Sequence, residues 1–576
     1  LLADGDDDLP AWVMARRERA REGAAGVTAY ATDSRHTVAV AALAGQLVAA
    51  DLRAGTARLV DVPGPVVDPR VDPTGHRVTW VRDRALWIAE LDDETSARPL
   101  VEEPAPDVSW GVAEFIAAEE MDRYRGHWWA PDGTALLVAR VDEGPVPRWW
   151  IADPARPEQA PTEVAYPAAG TTDADVSAWI VHLDGSRTEV AWDRRAWPYL
   201  AQAGWDDHGP YVALHPRDQG AIEVRAVDPL TGATTTLWED HDEAWVERLP
   251  GTPARLADGR LVVGADRDGA RRLVVDGTPV TPTDLHVRAV AHVGDEAIVV
   301  TANPVDDATV LDVWRWEATA PDHGQPGGEA LGGTIGGADE PVGNGGGPAL
   351  PGRLARLTRR PGQAPREDEG GRAGGVHGAA AGGDIVVLRR SCLERWGATV
   401  TVHRLDDELT EVATIASYAA QPARLPEVSI RHVGSRRLAT ALVLPEGAGP
   451  DQRLPVLLDP YGGPHAQRVV RAQAAYGTSQ WFADQGYAVV VVDGRGTPGR
   501  GSDWERGVRF DLAVPVLEDQ LDALAALAEE EPRLDLSRVA IRGWSFGGYL
   551  AALAVLRRPD AVHAAIAGAP VTEWRL

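Results

Sequence analysis

The sequence predicts an all-β propeller of eight blades followed by an α/β domain built on a doubly wound parallel sheet. Three observations carry this reading. The chain has 576 residues, too many for a single hydrophobic core. From about Val27 to about Ala423, short apolar strands are broken by Asp-Gly, Thr-Gly or Asp-Asp turns, with few helical stretches. From about Leu425 the pattern changes to apolar strands alternating with helical stretches, as in a sheet whose crossovers are helices.

Taken in order, residues 1–26 are expected to form an N-terminal helical segment, and residues 27–423 the propeller. Turns of one kind recur at Asp51 to Gly55, Asp92-Asp93, Asp184-Gly185, Asp228 to Gly232, Asp276-Gly277 and Asp406-Asp407. The first two start 41 residues apart, and the pair beginning at Asp184 and Asp228 is separated by 44. Four-stranded propeller blades repeat at about 40–45 residues. A blade cannot bury both faces alone, so a ring of blades is the natural solution. Between 321 and 384 the composition collapses into Gly, Ala and Pro. Such a segment cannot offset its ordering entropy by burial, so a disordered insertion inside one blade is expected.

Residues 424–576 hold the second domain. Leu438 to Leu444, Pro455 to Asp459 and the Val-rich run Ala488 to Asp493 read as buried strands, with helices expected over Ala466 to Gln485 and Val516 to Glu530. Val539-Ala540-Ile541 reads as a further strand, Tyr549 to Leu556 as a helix and Ala564 to Ala567 as the last strand. Between that strand and helix lies Gly543-Trp544-Ser545-Phe546-Gly547, a nucleophile elbow. Small residues flank the serine because the backbone bends too sharply for side chains. Ser545 is therefore placed as a nucleophile at the carboxyl end of a strand, where such sheets bind ligands.

Composition narrows the chemistry. There are 57 basic and 86 acidic residues, giving a net charge of −29. That surface repels phosphate backbones and anionic membranes, so neither nucleic acid nor membrane is expected as a partner. Cys392 is the only cysteine, which excludes an internal disulfide and a multi-cysteine metal site. No apolar run of 18 residues and no signal-peptide core is present, so a cytoplasmic protein is expected. Leu1 is not an initiator Met, and the natural N-terminus is expected upstream. No nucleotide, haem or metal motif is found, and no cofactor is expected. Asp493-Gly494-Arg495-Gly496 opens a Gly-rich loop without dinucleotide-binding spacing.

A propeller followed by a serine-elbow domain resembles the prolyl oligopeptidase family of serine peptidases. Glu119-Glu120, within Glu114-Phe115-Ile116-Ala117-Ala118-Glu119-Glu120-Met121-Asp122-Arg123-Tyr124 and ahead of Trp128-Trp129, is similar to the double-glutamate segment of the dipeptidyl peptidase IV-like branch. Asp459-Pro460-Tyr461-Gly462-Gly463-Pro464, Asp493-Gly494-Arg495-Gly496 and Ala569-Pro570-Val571-Thr572-Glu573-Trp574 match the family's hydrolase landmarks. The resemblance implies an α/β-hydrolase domain and a serine exopeptidase that removes Xaa-Pro or Xaa-Ala dipeptides from peptides with a free amino terminus. Glu119 and Glu120 would grip the substrate ammonium, because two adjacent carboxylates repel each other until a cation relieves them. Tyr461 and the backbone N–H of Phe546 would form the oxyanion hole. Tyr549, Val571 and Trp574 would line the proline pocket, and the full-length protein would be a homodimer. The alternatives are an oligopeptidase or acylaminoacyl peptidase of the same fold, or a non-catalytic peptide-binding propeller protein.

A serine nucleophile needs a histidine base and an orienting acid, which in α/β-hydrolases follow it in the chain. Thirty-one residues follow Ser545, room for one helix and one strand. His563 should lie at the amino end of its strand, and His465 breaks the usual order. The expectation is therefore an incomplete hydrolase domain, with the acid and histidine beyond Leu576 and the chain as given inactive.

Overall fold

Alternation of side chains along each strand governs how the blades pack. In the computed structural model, residues 11–19, 26–318, 352–358, 374–406 and 408–574 are described. They divide into two compact units, Leu1–Val246 and Glu247–Trp574. The first begins with a helix, Ala11–Arg19, followed by four antiparallel sheets of four or five strands and one of two strands. The second carries three further four-stranded antiparallel sheets and then a six-stranded sheet.

Within the first unit, Leu136 and Val138 of the strand Ala135–Asp142 pack with Val81, Leu86 and Ile88 of the preceding sheet. Leu137 and Ala139 of the same strand face the other way, onto Leu200, Val212 and Leu214 of the next sheet. Successive residues of a strand point to opposite faces, so one apolar strand supplies two neighbouring cores. The second unit repeats this. Val300 and Trp316 join Leu273 and Val262 on one side, while Val299 and Val313 join Val386 and Leu388 on the other. This two-faced burial is that of propeller blades.

The propeller has seven blades among the described residues, not the expected eight. Each recognised turn lies between the third and fourth strands of a blade; the turn at Asp184-Gly185, for example, links Asp175–His182 to Arg187–Glu189. The interval from Asp92 to Asp184 is about two repeats long, yet it holds a single blade. Its length is taken up by the helix Phe115–Glu120 and by a two-stranded arm, Arg148–Ile151 with Thr162–Ala165. Spacing counts residues and cannot tell a blade from an excursion within one.

Most of the Gly-rich stretch 321–384, and the disorder expected of it, lies outside the described residues. Two parts that are described are strands. Arg353–Arg356 pairs with Asp312–Glu317, and Val376–Gly382 with Ile385–Ser391. Ladder hydrogen bonds order these segments despite their composition, because a neighbouring strand is already in place to template them.

The six-stranded sheet has the order Val428–Val433, Leu438–Val443, Ala488–Asp493, Leu454–Leu458, Leu534–Trp544, Ala564–Gly568. The last four run parallel, but the first two are antiparallel to their neighbours, which corrects the all-parallel expectation. A turn over Gly434 to Arg437 joins the first pair, and so short a link permits only antiparallel pairing. Both faces of the sheet are buried. Val490 and Val492 contribute to one core with Ile541 and Leu550, and Val489 and Val491 to the other with Tyr476 and Val469.

The helix expected over Ala466 to Gln485 is shorter, comprising a 3₁₀ turn, Gln473–Tyr476, and the helix Gly477–Ala483. Its anticipated first turns are unwound because their backbone N–H groups bond elsewhere. Those of Arg468 and Val469 donate to the Asp493 carboxylate, and that of Arg471 to the carbonyl of Thr309.

Candidate active site

The strand Leu534–Trp544 ends at Ser545, and the helix Phe546–Arg557 leaves from it. Ser545 has φ 54° and ψ −118°, a left-handed conformation that costs a non-glycine residue about 1–3 kcal/mol. The glycines around it allow the bend. A Cβ on Gly543 would lie 2.1 Å from the carbonyl oxygen of Gly547, and one on Gly547 2.6 Å from that of Pro460. The Ser545 N–H donates to Gly568 O at 3.0 Å, tying the elbow to the next strand.

Serine at a helix N-cap ordinarily accepts a hydrogen bond from the first turn. Ser545 occupies that position but its side chain makes no capping bond. The twisted backbone turns the hydroxyl off the helix end, leaving it available for other chemistry. The first N–H groups of the helix have no intrahelical acceptor and sit at its positive end. That of Phe546 is thus a donor beside the serine, suited to an oxyanion.

Four predicted aromatic residues cluster here. The ring of Phe546 lies 6.2 Å from Tyr461, 5.6 Å from Tyr549 and 5.7 Å from Trp574, and Tyr549 meets Trp574 edge-on at 5.3 Å. Val571 belongs to the same terminal loop but is 37% exposed and stands at the rim.

Sequence reasoning missed the scaffold beneath. Asp459, nearly fully buried, bridges Arg468 at 3.1 Å and Arg542 at 3.2 Å, linking the Tyr461 loop to the elbow strand. Asp493 is also buried, and its carboxyl is pushed up to about 6: burial is the larger effect, opposed by the Val469 and Arg468 N–H groups. Asp519 is fully buried against Arg495 and Arg436, both at 2.9 Å. For Asp459 and Asp493 the signal available in the sequence was an acid at the end of an apolar strand, whereas Asp519 lies within the helix Val514–Glu530.

Glu119 and Glu120 end the short helix Phe115–Glu120 of the first unit, Glu119 half-buried and Glu120 exposed. Below them is an ion pair that the sequence did not reveal. The Glu114 side chain caps the helix by accepting the Ala117 N–H at 2.6 Å, and its other oxygen meets Arg123 at 3.3 Å. Arg123 also donates to the carbonyls of Leu200 and Arg125, at 2.7 and 3.0 Å. Burial pushes the Glu114 carboxyl up and the Arg123 guanidinium down, with the mutual attraction opposing both.

The two histidines weighed as possible bases are engaged otherwise. The His563 ring accepts the Val539 N–H at 3.1 Å, six residues upstream of Ser545 along the strand. His465 Nδ1 donates to Glu247 at 3.0 Å. The acid Asp560 bridges Arg558 at 2.7 Å. Among the described residues no cluster of His, Cys, Asp and Glu has the makings of a metal site, and no helix is long and apolar enough to cross a membrane.

Comparison with known proteins matches two regions of the chain. Residues 29–287 match the family model described as the dipeptidyl peptidase IV (DPP IV) N-terminal region, and residues 474–576 that of the prolyl oligopeptidase family. Dipeptidyl peptidase 8 of Mus musculus is 24% identical over 592 residues, covering 88% of this chain and 64% of that protein. A probable dipeptidyl peptidase 4 of Aspergillus flavus is 23% identical, with 89% and 66% covered. The chain thus spans just under two thirds of the length of these curated relatives. Prolyl endopeptidase FAP of Mus musculus is 33% identical over 153 residues, 26% of this chain and 20% of that protein. In fold, the crystal structure of Porphyromonas gingivalis dipeptidyl peptidase 4 superposes with a TM-score of 0.75 at 21% identity, covering 97% of this chain and 77% of that one.

Proposed function

The chain belongs to the prolyl oligopeptidase family, with a dipeptidyl peptidase IV-type N-terminal region, and from that premise we propose that the full-length protein is a serine-type dipeptidyl peptidase. It removes Xaa-Pro or Xaa-Ala dipeptides from peptides with a free amino terminus. The observation that carries the proposal is Ser545: a strained residue heading a helix whose hydroxyl does not cap it. The hydroxyl attacks the scissile carbonyl, and the carbonyl oxygen takes up negative charge that the Phe546 N–H and the Tyr461 hydroxyl stabilise. Collapse of this intermediate releases the shortened peptide and leaves an acyl-enzyme, which water hydrolyses to free the dipeptide. The base and acid that activate the serine are not assigned to residues of this chain, since His563 and Asp560 are committed elsewhere.

Glu119 and Glu120 supply the exopeptidase character. A substrate ammonium between two carboxylates makes charge-assisted hydrogen bonds, each worth about 1.5–3 kcal/mol. The proline ring enters the apolar corner made by Tyr549, Val571 and Trp574. Two measurements on the full-length protein test this. A fluorophosphonate should label it, with labelling lost in Ser545→Ala; absence of labelling would leave a non-catalytic, peptide-binding propeller protein. Acetylating the amino group of a dipeptidyl-proline substrate should lower kcat/KM by at least about a hundredfold. Unchanged turnover would discard the glutamate anchor in favour of an oligopeptidase or acylaminoacyl peptidase.

A further inference from the structure

The loop carrying Tyr461 is sharply bent. Gly462, Gly463 and His465 all have left-handed backbone, with φ of 90°, 79° and 61°. The glycines adopt it without cost, whereas for His465 it is strain of about 1–3 kcal/mol. The ends of the loop are pinned within the sheet: Asp459 binds Arg468, and the Asp493 carboxylate accepts the N–H groups of Arg468 and Val469. Its crest, Gly462 to Gln467, is held from another direction by the propeller blades of the same compact unit.

Two struts reach it. His465 is 69% exposed, yet its Nδ1 donates to Glu247 Oε1 at 3.0 Å. Glu247 is itself held by Arg271 at 2.6 Å, and Arg271 is clamped by Asp266 and Glu505, each at 3.2 Å. Burial pushes the Glu247 carboxyl up, but the His465 hydrogen bond and the Arg271 charge outweigh it and bring it down to about 2. The second strut is Arg288, which donates to Gln467 at 3.3 Å and to Asn303 at 3.2 Å. The Gln467 amide in turn donates to the carbonyl of Ala308.

We propose that His465 and Glu247 are positioning residues that hold the Tyr461 loop against the blades in the shape the oxyanion hole requires. This rests on the reading of Tyr461 as an oxyanion donor. A rigid carboxylate bound to His465, four residues from Tyr461, fixes the crest at its strained bend, and the exposed imidazole is the link. The effect falls on the transition state alone, because the substrate amine is gripped elsewhere. Freeing the crest lets the Tyr461 hydroxyl drift from where the oxyanion forms, which lowers kcat and leaves KM in place.

The test is steady-state kinetics of the full-length enzyme with a dipeptidyl-proline substrate. His465→Gly removes the imidazole and relieves the backbone strain together, so a loss cannot come from strain. It should lower kcat by about ten- to a hundredfold, within the loss caused by deleting one oxyanion donor outright, with KM changed less than twofold. His465→Asn should restore kcat to within about threefold, since Asn tolerates left-handed backbone and can donate to Glu247. Adding His465→Gly to Tyr461→Phe should cost nothing further, the non-additivity of two residues acting through one donor. Wild-type kcat in His465→Gly while Tyr461→Phe is impaired overturns the positioning role. An unimpaired Tyr461→Phe overturns the oxyanion reading itself, and this proposal with it.

Discussion

Replacing Gly543 by alanine tests whether the elbow is as crowded as its geometry implies. The new Cβ would lie 2.1 Å from the carbonyl oxygen of Gly547 and 2.2 Å from its carbonyl carbon. Close carbon-to-carbonyl oxygen approaches in proteins are about 3.3 Å, so the overlap exceeds about 1 Å. Both atoms struck are backbone in the first turn of the helix Phe546–Arg557, and no side chain can swing aside. Gly543 lies outside the left-handed region, so alanine carries no backbone penalty and gains about 0.4–1 kcal/mol by restricting the unfolded chain. Overpacking costs about 1–3 kcal/mol or more. The collision wins, for a net loss of about 2 kcal/mol, or about 4–8 °C of melting temperature in a domain of this size. Moving the elbow by 1 Å also costs about a hundredfold in reactivity. Calorimetric melting and the rate of fluorophosphonate labelling read the two effects. Gly449→Ala is the control: a Cβ there meets nothing within 4 Å, and the melting temperature should rise slightly. If Gly543→Ala melts and labels like the parent protein, the account of the elbow is wrong.

Two further perturbations probe the scaffold. Asp493 has its carboxyl raised to about 6 by burial, against about 3.9 unfolded, so the folded state holds the extra proton between these values. Stability should therefore fall by roughly 3 kcal/mol as pH rises from 4 to 6 and level off above. Asp493→Asn should flatten that slope in denaturant titrations at pH 4, 5, 6 and 7; equal slopes would contradict a buried acid. Arg123→Met strands the buried Glu114 carboxylate that caps the double-glutamate helix. It should cost about 3–5 kcal/mol and weaken calorimetrically measured binding of a free-amine dipeptide, and unchanged melting would show that the pair contributes little.

Much of this molecule is legible residue by residue. The elbow at Ser545 is legible in part from its neighbours: a Cβ on Gly543 would strike Gly547 in the adjoining helix turn, whereas glycine at 547 is required by Pro460, 87 positions away. The Val run Ala488–Asp493 likewise declares a strand covered on both faces, since every one of its residues is buried. Other features are silent in the chain. Arg123 reads as an ordinary surface cation until Leu200, 77 positions away, turns out to receive its hydrogen bond. His465 and Glu247 are separated by more than two hundred residues and carry no pattern that pairs them.

Local chemistry, where each residue answers to its immediate neighbours, was open to reading from the amino-acid order: strand and helix character, the repeating turns, the strained serine and the double glutamate. Blade number, strand direction at the sheet edge and the ionic supports under the site were not. Those depend on which distant segments share a ladder or a buried charge, and burial energies are set by the partner that folding brings close rather than by the residue itself. The same number of residues between two turns closes a second blade or extends one with an arm, and that choice rests on which faces find apolar cover.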